Sequence, residues 1–351
     1  MSVENSTEAD SEGADFESLL FSQATEITWK FIPPVIIVLG TFGNVMTIVM
    51  MRRMSEGQSS HTMSLYFTAL AVSDLTILYV GLLHKWLLNG FDINVLLFHD
   101  ALCKLQFFLI NTFGTISAWL LVSMTTQRVF SVAWPYWKNV SCPVNRFVLN
   151  LIIIIIVPIG VNSYRLYAYS VLTRPNSLEI ICGVMVNKAL VYFDWYVYPY
   201  IDLTIASLLP FGILMIGNSV LVWKVIQSVH VARVMTAGGC DQVNSRQKKA
   251  SSLTLTLITV SLAFLLLTAP VCVCIALNPF IETTGSQASP KTKFAWVVCD
   301  LSWYINSAIN FYLYCLSGTK FKNELRRLVC TQCHLDKIMI SHVVTHSMPP
   351  G

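Results

Sequence analysis

Residues 149–161 read LNLIIIIIVPIGV, a run in which Asn150 is the only polar side chain. No period of 3.6 or 2 leaves a wet face here, and a helix that is apolar all round is buried in a large core or in lipid. The rest of the chain decides between the two. Its apolar residues gather in blocks near 31–51, 63–88, 101–127, 147–163, 197–223, 253–277 and 295–316. Crossing about 30 Å of hydrocarbon takes roughly 20 helical residues, and most blocks reach that length. Only 12% of the 351 residues are charged, against about 25% in an ordinary soluble domain. The fold expected is an all-α membrane protein, a seven-transmembrane helix bundle over 31–316.

Charge sets the orientation. A majority of the 23 Lys and Arg, among them Arg52, Arg53, Arg128, Lys224, Lys320 and Lys322, fall on one side of the seven blocks. Basic residues concentrate on the cytosolic side, so the N-terminus is expected outside and the C-terminus inside. The segment 1–30, polar and acidic at first, reads as a disordered extracellular tail. Its Asn5-Ser6-Thr7 triplet is a glycosylation acceptor. A second triplet at Asn139 lies on the cytosolic side and is expected to stay unmodified. No cleavable signal is visible before the first block.

Polar side chains inside lipid are costly, and each is a functional candidate. Asp74 lies mid-block in LAVSDL, with Asn44 at similar depth in the preceding block. In the last block Asp300, Tyr304, Ser307, Asn310 and Tyr314 recur at helical spacing. Asn44, Asp74, Ser117, Asn306, Ser307 and Asn310 would form a wet core that holds water or an ion, with Asp74 the candidate for sodium. Mutual satisfaction between helices is the competing reading.

Seven blocks with GN at 43–44, LAVSD at 70–74, an arginine ending the third, LLPF at 208–211, FLLLTAP at 264–270 and NFYLY at 310–314 resemble the rhodopsin-like (class A) G protein-coupled receptors. The resemblance spans roughly residues 30–330. It implies a disulfide between Cys103 and Cys182, both on the oxidising side. It also implies a switch at the inner end of the third span, where the family places an acid, an arginine and an aromatic residue. Here the triplet is Gln127, Arg128, Val129. Gln127 bonds a guanidinium without a Coulomb contribution, and charge-assisted bonds are about twice as strong. Lys248 and Lys249 stand at the foot of the sixth span, where a second acid would hold Arg128. A weakly latched resting state with raised basal signalling is one expectation; packing and Thr254 holding that state adequately is the other. Phe264, Pro270 and Tyr314 complete the switch set, Pro270 because a proline opens the helix. Departures from the pattern are Asn218, Thr268 and Phe311, which allow a third reading, a receptor-like chain with lost coupling.

The outer half of the bundle offers His84, Lys85, Gln106, Asn111, Tyr200, Asp202, Asp300, Trp303 and Tyr304 as ligand-binding residues. Aromatics with both signs of charge suit a peptide. Asp300 or Asp202 can take a basic side chain and Lys85 a carboxylate or amide oxygen; alternatively Lys85 and Asp300 pair with each other. Ile110 stands where amine receptors of the family carry an aspartate, and Tyr304 where opsins carry a lysine. FLLLTAP in particular resembles invertebrate neuropeptide receptors of the FMRFamide-receptor type. The expected partners are an extracellular peptide, a heterotrimeric G protein and membrane lipids, with no nucleic acid, at the plasma membrane.

Past the seventh block, 317–329 reads as a short amphipathic eighth helix, and 330–351 as a cytoplasmic tail with Cys330 and Cys333 as palmitoylation sites. A zinc site at these cysteines lacks a second C-x-x-C. An orphan chemosensory receptor for a small molecule is the alternative function. A transporter or channel is disfavoured because no inverted repeat or broken helix is visible. No H-E-x-x-H or G-x-S-x-G motif suggests an enzyme.

Overall fold

Among the described residues, six helices are long and apolar enough to cross a membrane, with spans Phe16–Ser55, Met63–Phe91, Asp100–Ala133, Phe147–Ala168, Lys188–Gln227 and Thr254–Leu277. They belong to a computed structural model that describes residues 4–56, 61–133, 144–173, 179–184, 187–235, 241–283, 289–319 and 321–328. The seventh expected span corresponds to a helix over Pro290–Ser317. Its 28 residues reach about 42 Å at 1.5 Å per residue. It falls short on apolarity, not on length. Asn306, Ser307 and Asn310 are turned into the bundle and buried, so this helix spends its polar residues on the interior and exposes little oil.

The first helix runs Glu4–Glu56, where disorder was expected before residue 31. Beyond the membrane it docks on the start of the seventh helix. Phe21 lies 5.7 Å from Phe294, ring to ring, and Lys291 reaches Glu17 at 3.3 Å. These contacts give the extension something to pack against, which composition alone does not reveal.

The second departure from an all-α bundle is a hairpin outside the spans. Tyr169–Thr173 (β1) pairs antiparallel with Ile180–Val184 (β2), in a register that sets Val171 opposite Cys182. Val171, Leu172, Ile180 and Ile181 suit a pleated surface. Asp100, which opens the third helix, receives the Ser170 hydroxyl at 2.6 Å and the Val171 amide at 2.8 Å.

Packing divides the interior in two. The half that carries Arg128, called inner for the orientation expected from charge, joins Met50, Tyr66, Leu70, Leu120, Met124, Leu257, Phe264 and Tyr314 in one cluster. The outer half joins Trp29, Ile77, Leu82, Leu301 and Tyr304 in another. Ile156, Ile216, Leu266 and Val273 face outward and exposed, as lipid-facing side chains do.

Among the described residues, three stretches widen into π-turns: Ile77–Leu82, Phe193–Val197 and Leu203–Leu208. The last two run up to Pro199 and Pro210. Proline lacks the N–H an α-turn requires and its ring crowds the preceding turn, so the hydrogen-bond register shifts there.

After Ser317, residues 321–328 are helical. Phe321 is buried, Leu325 and Leu328 pack on the inner cluster, and Lys322, Arg326 and Arg327 are exposed. Cys330, Cys333, Asn139 and the rest of the tail lie outside the described residues. So do the side chains of Asn5, Lys248 and Lys249.

Candidate functional site

A cavity of about 630 Å³ occupies the outer half of the bundle. The second helix contributes His84 and Lys85, the third Gln106 and Asn111, the fifth Asp202, and the seventh Asp300, Trp303 and Tyr304. Eight of the nine sequence-nominated ligand residues therefore share one chamber. Tyr200 does not. It is 44% exposed and lines a shallow outer depression with Tyr196 and Thr204, because two residues along a helix point to different faces. Trp29, Phe107, Phe264, Thr268 and Trp296 also line the chamber, though the sequence marked none of them as ligand residues.

Lys85 and Asp300 meet across the chamber wall. The Lys85 ammonium donates to both carboxylate oxygens of Asp300, at 2.7 and 2.6 Å. It also stands 5.4 Å from the Tyr304 ring centre. Of the two alternatives for these residues, the structure adopts the pair. Tyr304 is held from the other side by Gly81, where an added methyl would lie 2.5 Å from Ile110 Cδ1 and 2.8 Å from the Tyr304 hydroxyl oxygen. The glycine is needed for close approach.

Sequence reasoning overlooked Arg165. It follows the fourth span's apolar run, is 6% exposed, and sits in a cage of tyrosines. Its guanidinium lies 4.1 Å from the Tyr198 ring centre, donates to the Tyr169 hydroxyl at 3.0 Å and approaches Asp194 at 3.9 Å. Asp194 accepts the Tyr164 and Tyr169 hydroxyls, each at 2.8 Å. Tyr198 donates to Asn162 and, at 3.4 Å, to Asp202. Burial pushes the Tyr169 phenol above its usual range, against the pull of Arg165. The aromatic residues of the segment 164–196 thus divide. Tyr164, Tyr169 and Phe193 turn inward on the cage, while Tyr167, Tyr192, Trp195 and Tyr196 are exposed. The available signal was an arginine flanked by Tyr164, Tyr167 and Tyr169 at a span's end.

Cys103 and Cys182 are joined as a disulfide that ties β2 to the top of the third helix. Phe107, one turn along that helix, stacks on Tyr169 at 4.2 Å. The hairpin and cage therefore form one wall above the chamber.

Below the chamber lies a polar core. Asp74 is fully buried and accepts from Asn310 at 2.8 Å and from Ser117 at 3.3 Å. Asn44 bridges the Gly40 and Ser307 carbonyls at 3.0 and 2.9 Å. Oδ1 of Asn306 and Oδ1 of Asn310 are buried without a partner, so the core has spare oxygen acceptors. Among the described residues no cluster of three or more His, Cys, Asp or Glu forms a metal site.

At the inner end, Arg128 is half-buried next to Gln127, whose Nε2 is buried without a hydrogen-bond partner. Thr125, one turn back, meets Ser261 of the sixth helix at 3.3 Å. Phe264 crosses Phe211 edge to face at 5.5 Å, and Tyr314 packs on Phe67 at 5.0 Å. Of the residues nominated for the switch, Phe264 and Tyr314 share the inner cluster, and Phe264 also lines the chamber.

Residues 43–314 match the family described as 7 transmembrane receptor (rhodopsin family). The chain is also similar to the thyrotropin-releasing hormone receptor of Mus musculus, at 24% identity over 85% of this chain and 78% of that protein.

Proposed function

Because the chain belongs to the rhodopsin family of seven-transmembrane receptors, we propose that it carries an extracellular peptide signal to a heterotrimeric G protein across the plasma membrane, N-terminus outside. The observation that carries this reading is the chamber. At about 630 Å³, walled by Trp296, Trp303, Tyr304 and Phe107 and containing both signs of charge, it matches the mixed aromatic and ionic character of a peptide. The similarity to the thyrotropin-releasing hormone receptor of Mus musculus supports a hormone-like extracellular ligand.

Transduction requires that the ligand bind one bundle conformation better than another. Tyr304, Phe264 and Thr268 line the chamber and belong to the sixth and seventh helices, so ligand contacts bear directly on the helices that flank Arg128. A sodium ion at Asp74 belongs to the same reading. Asp74, Ser117 and Ser307 would hold it, and the spare oxygens of Asn306 and Asn310 support such a role. The helical segment 321–328 lies along the inner membrane face, its Lys322, Arg326 and Arg327 toward headgroups.

A library of amidated neuropeptides applied to cells that express the chain with reporters for each G-protein class tests the proposal. At least one peptide is expected to give a signal absent from untransfected cells. A library that evokes none, at verified surface expression, contradicts the peptide-receptor reading.

A further inference from the structure

The fixed charges around the chamber do not balance. Lys85 is shared between both oxygens of Asp300, so that pair is neutral within itself. Asp202 lines the same chamber from the fifth helix and accepts only a long bond, 3.4 Å, from the Tyr198 hydroxyl. The cation in its neighbourhood, Arg165, stands outside the chamber lining. It is already engaged by Asp194 at 3.9 Å, by the Tyr169 hydroxyl at 3.0 Å and by the face of Tyr198. One guanidinium thus serves two acids, and Asp194 holds the closer share. Among the described residues, Asp202 is therefore the chamber acid without a cation of its own.

An acid in a confined, largely aromatic site gains more from a cation than it would in water. Phe107, Phe264 and Trp303 line the same chamber, and an aromatic ring attracts a cation by its quadrupole. A guanidinium fits better than an ammonium, because its planar fork meets both carboxylate oxygens and it sheds water more readily.

We propose that Asp202 is the chamber's cation acceptor and selects a peptide by an arginine side chain, while the Lys85–Asp300 pair stays closed as a polar wall. This rests on the receptor reading for its biological meaning, although the binding event itself does not require signalling.

The test uses the full-length protein in lipid nanodiscs and two small probes, N-acetyl-arginine methylamide and its neutral citrulline counterpart. The thermal unfolding midpoint is read as each probe is titrated. The arginine probe is expected to raise the midpoint of the wild-type protein and the citrulline probe to leave it unchanged. Asp202→Asn should weaken half-saturation by at least about tenfold, the loss of one bond to a charged group. Asp202→Glu should largely retain it. Asp202→Leu, which removes the charge together with the cost of burying an unpaired amide, should lose the response as well, which keeps the test decisive if Asp202→Asn does not fold. Equal shifts by the two probes, or an undiminished response in Asp202→Asn or Asp202→Leu, would each overturn the proposal. Arginine-selective binding in a protein that activates no G protein would support the cation site and defeat the receptor reading. Activation by peptides that lack any basic group would do the reverse.

Discussion

Asn218, 5% exposed on the fifth helix, leaves both amide atoms without a hydrogen bond. A buried polar group without a partner costs about 1–3 kcal/mol, and replacing it by an apolar side chain of similar size removes that cost. Asn218→Leu is therefore expected to stabilise the protein by about 1–2 kcal/mol, measurable as a higher unfolding midpoint in detergent. An unchanged or lower midpoint would mean that water or a partner satisfies the amide. Gln127 presents the second residue-scale test. Its unpaired Nε2 beside Arg128 contributes hydrogen-bonding capacity but no charge. Gln127→Asp adds the charge, so ligand-independent reporter activity is expected to fall at equal surface expression. Activity that stays level or rises contradicts the weak-latch reading. At this scale the sequence spoke unevenly. Asp74, Asp300 and Lys85 announced themselves because charge in lipid is conspicuous. Arg165 did not, since an arginine among tyrosines at a span's end reads equally well as an interface anchor. Only the fold brings Asp194 and Tyr198 around it.

At the scale of elements, close approach sets the shape of the chamber. The second helix widens into a π-turn over Ile77–Leu82, and Gly81 within it lets Tyr304 and Ile110 pack against the backbone. Gly81→Ala inserts a methyl where Tyr304 must stay beside the Lys85–Asp300 pair, and overpacking of this kind costs about 1–3 kcal/mol. Lower thermal stability is expected, together with weaker response to any activating peptide; wild-type values for both would show that the ring yields freely. Helical rods were legible because apolar length declares them. Neither the π-turns nor the hairpin was. A π-turn depends on one shifted hydrogen bond, which periodicity does not encode. Strands of five residues such as Tyr169–Thr173 are too short for alternation to separate them from a loop. The first helix's extension depends on Phe294 and Lys291, far along the chain, so no local pattern reveals it.

On the scale of the whole molecule, polarity is layered along the bundle axis: a charged aromatic chamber, a buried core at Asp74, and Arg128 at the inner mouth. The seventh helix joins both hydrophobic clusters, and the sixth reaches from the chamber at Thr268 to Thr125 through Ser261. Such an arrangement lets a contact in the chamber bias the geometry at Arg128 through rigid rods, provided the bundle has two states. Family membership was legible from ordered motifs, none decisive alone. The seventh helix shows why composition falls short: it carries Asp300, Asn306, Ser307 and Asn310 and is too polar to qualify as a span by composition. The most direct measurement is nucleotide exchange on a purified heterotrimeric G protein by the reconstituted chain, with and without an activating peptide, for wild type and Arg128→Ala. Peptide-stimulated exchange by wild type, lost in Arg128→Ala while peptide binding persists, is the expected result; stimulation that survives the loss of Arg128 would contradict coupling through the inner mouth.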